Sequence, residues 1–186
     1  MELLPLQLTS WEKWLELHPD TLVLSNDTPY QEWYTNISLG SSSLGPEFVA
    51  SIVYWDTRLT HNRLVLGVTV DQAFRAYPLD RVAASGGVVN DILADRPVVV
   101  VVDDQSVFSI AFSREINGQV LNFERTGADS LQLVDKETGS IWNLEGLAID
   151  GPLEGESLSF VTSFITEWYG WSAYHPETEI YAIANP

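Results

Sequence analysis

The chain of 186 residues has no cysteine. Disulfides, thiolate metal centres, iron–sulfur clusters and cysteine nucleophiles are therefore excluded. Basic residues are scarce: 9 Lys+Arg stand against 26 Asp+Glu, a formal net charge of -17, and the only lysines are Lys13 and Lys136. A field of that sign repels phosphate backbones and anionic lipid, which argues against nucleic-acid partners and polybasic membrane binding. Long apolar runs are missing too. The most apolar stretch, residues 97–102, falls far short of the ~20 residues that a membrane-spanning helix needs, so no membrane insertion is expected. Met1-Glu2-Leu3-Leu4-Pro5 carries no basic segment, and Gln7 and Thr9 follow at once; this is no signal peptide. The expectation is a soluble protein of open compartment. Nucleophile and phosphate motifs also fail. Ala84-Ser85-Gly86 lacks the first glycine of a nucleophile elbow, and neither a Gly-x-Gly-x-x-Gly fingerprint nor a phosphate-binding loop with its lysine occurs.

What is present suits one globular domain with an appendage. Hydrophobic residues make up 45% of the chain, with seven each of Trp, Tyr and Phe, ample for a core. The most informative feature is an internal repeat. Residues 9–24 read TSWEKWLELHPDTLVL and residues 166–181 read TEWYGWSAYHPETEIY. At a constant offset of 157 positions, Thr9, Trp11, Trp14, His18, Pro19 and Thr21 match Thr166, Trp168, Trp171, His175, Pro176 and Thr178. The region between the copies is not repeated. The pattern suggests the tail of one unit followed by a complete one: residues 1–37 as a closing helix–strand, residues 38–47 as a Ser/Gly-rich linker, and residues 48–186 as the main β-rich domain.

Each copy reads as a helix followed by a strand. Thr9 and Glu12 have capping-box spacing, and Trp11, Trp14, Leu15 and His18 fall on one helical face. Pro19 stops the helix at His18, and residues 21–25 are expected as a strand. In the second copy the strand is expected over residues 179–182. Elsewhere, residues 48–55, 63–70 and 72–77 are strand-like. A short helix is predicted over residues 78–84 with proline at its first position, ended by Gly86-Gly87. Residues 98–102 form a continuous valine run, expected to be a central strand buried on both faces. Residues 106–114 and 119–125 flank Asn117-Gly118, a strong hairpin signal, and residues 131–135 and 140–143 flank a second turn. The fold class expected is α+β, predominantly β-sheet with a few short helices, the Trp-bearing helix packed on the sheet.

Candidate ligand-binding residues are few. Asp103 and Asp104 follow the valine strand, and with Asn90 and Asp91 they are candidate oxygen ligands for a divalent cation or small molecule; a solvated hairpin turn explains the pair more simply. His18 and His175, the repeated histidines, suit metal ligation or acid–base work, yet a helix-terminal histidine packed near tryptophan accounts for them better. Trp33 with Tyr34, and Tyr54 with Trp55, are candidates for an exposed aromatic patch. No residue is selected as catalytic, no cofactor is implied, and the metal question stays open.

The segments LGVTVDQAFRAYPL (66–79), GVVNDILADRPVVVV (87–101), FSIAFSREINGQVLNFE (108–124) and DKETGSIWNLEGLAIDGPLEG (135–155), with both TxWxxW…HPxT segments, resemble a bacterial and archaeal family of unknown function. The resemblance implies two related halves in full-length members, the first carrying a Cys-Pro-x-Cys-Gly motif. This chain is similar to the second half. It has Asp103-Asp104-Gln105-Ser106-Val107 at the motif's place, so no metal or redox chemistry carries over. The resulting expectation is a non-catalytic scaffold or interaction half-domain whose partner is another copy or another half-unit of the family.

Overall fold

The computed structural model describes residues 8–33, 45–103, 107–127 and 132–182. The predominantly β α+β expectation holds: short helices accompany three sheets and a small hairpin. The first sheet has strand order β12-β1-β2-β13, with β1 at Leu64–Val70, β2 at Ala73–Pro78, β12 at Ser163–Glu167 and β13 at Glu179–Ile180. The second is β3 (Val88–Leu93), β4 (Arg96–Asp103) and β5 (Phe108–Ser113) in that order, all antiparallel. The third runs β11-β10-β9-β8, from Ala148–Asp150, Ile141–Trp142, Leu133–Asp135 and Phe123–Arg125. Asn117-Gly118 turns the hairpin of β6 (Glu115–Ile116) and β7 (Gln119–Val120), both residues at positive φ as a tight hairpin turn requires.

The valine run explains the layering. Side chains alternate along a strand, and Val99 and Val101 enter a core with Phe108, Phe123, Leu133 and Trp142 on the third-sheet side. Val98, Val100 and Val102 enter a second core with Leu66, Val68 and Tyr77 of the first sheet and Val82 of helix α3 (Leu79–Ala84). Strand β4 is thus buried on both faces. The far side of the first sheet is closed by helix α4 (Trp168–Tyr174), whose Trp168 and Trp171 pack with Val65, Ala76 and Leu59. The order of layers is third sheet, second sheet, first sheet, α4.

Several expectations are corrected. Helix α1 (Trp11–Leu17) is capped by Ser10, whose side chain accepts from the Lys13 N–H, not by Thr9. Residues 21–25 form no strand, because among the described residues no strand pairs with them to supply hydrogen bonds. Residues 48–55, expected as a strand, contain most of helix α2 (Pro46–Ser51), with Pro46 at its start and Glu47 in its first turn, both helix-initiating choices. The linker expected over residues 38–47 lies largely outside the described residues.

Candidate functional site

The sequence repeat reappears as repeated geometry. Both helices end at the histidine, His18 at φ -131, ψ 69 and His175 at φ -130, ψ 68. In each copy the histidine N–H donates to the second tryptophan's carbonyl, at 2.8 Å for His18–Trp14 and 2.9 Å for His175–Trp171. The Trp14 indole donates to Thr21 Oγ1 at 2.8 Å, and the Trp171 indole to Thr178 Oγ1 at the same distance. The Trp–His ring centroids are 4.2 Å apart in both copies. Proline after histidine breaks the helix, and the threonine then returns under the indole to pin the turn.

The surroundings differ. In the second copy the motif sits in a berth on the first sheet. Trp171 lies over Gly67 of β1, so close that a Cβ there would collide with the ring. His175 stacks on Phe74 of β2 at 4.0 Å between centroids, and burial lowers its pKa. Strand β13 pairs in parallel with β2, Glu179 opposite Arg75 and Ile180 opposite Ala76. In the first copy no strand among the described residues plays the sheet's part. No residue of α1 is buried. Trp11 is 52% exposed where its counterpart Trp168 is 0%, and Leu22, Val23 and Leu24 are 94%, 71% and 92% exposed. The helix touches the body at its rim, where His18 Nε2 lies 3.4 Å from Glu145 Oε1.

Among the described residues, the candidates Asn90, Asp91 and Asp103 do not converge. Asn90 and Asp91 are successive residues of β3 and point to opposite faces. Asn90 donates to the Phe123 carbonyl and accepts the Phe123 N–H, each at 2.8 Å, and so ties the second sheet to β8. Asp91 ties the second sheet to the first: its carboxylate accepts from Arg75 Nη1 at 2.6 Å and from the Tyr77 hydroxyl at 2.8 Å. Arg75 also holds Glu179 of β13. Burial, with the Asp91 charge, drives the Tyr77 hydroxyl well above its ordinary pKa; it remains a donor. Asn90 stands opposite Val99, so Asp103 lies four residues along β4, about 13 Å away at the rise of a strand. Asp103 is buried and pairs with Phe108. Asp104 lies outside the described residues. Among the described residues no group of three His, Asp or Glu is placed to hold a metal ion.

Of the aromatic candidates, Trp33, Tyr54 and Trp55 are exposed; Tyr34 lies outside the described residues. Trp55 and His61 edge a cleft of about 420 Å³ that Arg58, Arg63 and Arg81 also line. Those guanidiniums are engaged within the chain: Arg58 with Asp56, Arg63 with Asp80, and Arg81 with the Tyr181 carbonyl. The Arg58 contact holds the Asp56 carboxyl below its usual range. Sequence reasoning missed these ties, and missed Arg114, which is buried and donates to the carbonyls of Val98, Leu121 and Asp91. A lone charge inside an otherwise strand-like segment is the signal that marks such interlayer ties.

A family model described as "Protein of unknown function (DUF3179)" matches residues 1–178. The chain belongs to the DUF3179 family. The match takes in both Trp–His motifs, the docked and the undocked. No curated protein and no solved structure matches this DUF3179 chain. Among its described residues no helix is long and apolar enough to cross a membrane.

Proposed function

We propose that this DUF3179 chain is a non-catalytic half-domain that works by associating with another half-unit of its family. The single observation that carries the reading is the undocked motif. A helix of seven residues is unstable alone in water, and α1 leaves Trp11 exposed and Trp14 only half-buried while its internal clamp is fully formed. An exposed apolar segment of that kind marks an interaction surface. The chain then corresponds to the second half of a duplicated bacterial or archaeal architecture, preceded by the closing segment of a first half. The polar candidates support a scaffold as well, since Asn90, Asp91 and Arg114 are spent joining layers.

The test is co-expression of the full chain with a second DUF3179 half-unit, followed by size-exclusion chromatography with light scattering. A stable one-to-one complex is expected. Recovery of the two as separate monomers at all concentrations up to about 100 μM would overturn the reading.

A further inference from the structure

We infer that residues 11–24 are a latch that closes the sheet of a second half-unit in the way that α4 and β13 close the first sheet here. The inference deepens the reading just given and rests on it. It names the partner's chemistry from the one berth already filled. Trp171 needs a glycine beneath it, because any Cβ at Gly67 would meet the ring. His175 needs a flat ring to stack on, supplied by Phe74. Strand β13 needs a free edge for parallel pairing, supplied by β2. Trp14, His18 and residues 22–24 present the same three groups with the same clamp geometry. The partner sheet therefore carries a glycine under Trp14, an aromatic residue against His18, and an open edge beside residues 22–24.

The differences between the copies show that the partner is not a second copy of this chain. Ser172 is fully buried in its berth, and its counterpart is Leu15; a leucine there would overfill the space. Glu179 answers Arg75, and its counterpart is Leu22, which would leave that guanidinium facing an apolar side chain. Tyr181 stacks on Tyr77, and its counterpart is Leu24. This berth is also filled already, so a copy that took it would have to release Trp168 and Trp171. The fitting partner is a sibling half-unit with more room opposite Leu15 and an apolar residue in place of Arg75. Discrimination of this kind, by misfit against the near relative, is how related interfaces stay separate.

The experiment uses the full chain co-expressed with a DUF3179 half-unit chosen for a glycine aligned with Gly67 and an apolar residue aligned with Arg75. Trp14→Ala and Leu24→Asp should each lower the recovered complex at least tenfold, as should alanine at the partner's aligned glycine. Tyr174→Ala, an exposed change on the docked helix, should leave recovery unchanged. Leu24 is almost fully exposed, so Leu24→Asp reports on docking even if Trp14→Ala impairs folding; the melting temperature of each variant alone checks that point. A complex insensitive to Trp14→Ala and Leu24→Asp overturns the latch while leaving the interaction reading intact. A homodimer of the chain alone, dissolved by Leu24→Asp, would also overturn it, since the occupant would then be a second copy. Absence of any complex would instead defeat the broader reading.

Discussion

Asp91 shows how a polar residue in a strand can be structural. Its carboxylate is the meeting point of Arg75 and Tyr77 between two sheets, and the Tyr77 ring is fully buried. Asp91→Ala strands a buried hydroxyl and removes a charge-assisted bond, at a cost of about 2–3 kcal/mol. Tyr77→Phe removes only the hydroxyl and should cost about 1 kcal/mol. Urea unfolding of both single variants and the double variant should give a coupling near 1 kcal/mol; strict additivity would mean that the bond contributes nothing. His175 gives a pH prediction. In the unfolded chain it takes up a proton near its ordinary value, whereas burial holds its folded pKa lower. As pH falls the unfolded state binds the proton first, so stability present above the ordinary histidine pKa is lost progressively below it. Between pH 7.5 and 5.5 the wild-type melting temperature should fall more than that of His175→Gln. Equal slopes would remove His175 from the pH response. Asp91's role was not legible in the sequence, because it acquires its partners through packing between sheets; the helix-end position of His175 beside tryptophan was legible, but its stacking partner on β2 was not.

At the scale of elements, one motif in two settings separates local from tertiary stabilisation. Trp171→Ala should cost about 3–5 kcal/mol, as loss of a large buried ring does. Trp14→Ala removes the same ring from the same clamp without a sheet beneath it, and should cost under about 1 kcal/mol in the chain alone. Denaturation of the two variants side by side measures the difference; similar losses would show that α1 has a berth within the chain. The repeat was legible because Trp, His, Pro and Thr each have a geometric duty in it. Strand β4 was legible because only a doubly buried strand tolerates five successive valines. Strand β3 was not. Its Asn90-Asp91 pair interrupts the apolar alternation that marks a strand, and its turn to β4 uses Ala94 and Asp95 at positive φ, without the glycine that marks most tight turns. Strand β12 was missed because its Thr166 and Glu167 belong, by sequence, to the approach to α4. Residues 48–55 and 21–25 misled for the opposite reason: β-prone side chains make a strand only where an edge receives them.

The whole molecule sets a layered core against a surface of one sign. The class was legible from composition and turn signals, but the order of layers depends on which sheet each face of β4 meets, and no local pattern encodes that. Charge is where the layers and the surface interact. Five of the nine cations are engaged within the chain, Arg75, Arg58 and Arg63 on carboxylates and Arg114 and Arg81 on main-chain carbonyls. With 26 acids against 9 bases, a net charge of -17 remains. Self-repulsion of that kind opposes the compact state, and salt weakens it, since the screening length falls from about 30 Å at 0.01 M to about 8 Å at 0.15 M. Salt also weakens the exposed ion pairs, which favour folding, but such pairs contribute only about 0–1 kcal/mol each. The like-charge excess should win, and the melting temperature should rise by several degrees from 0.01 to 0.5 M sodium chloride. A fall over that range would show that the ion pairs between layers, rather than the acidic surface, dominate the electrostatics of folding.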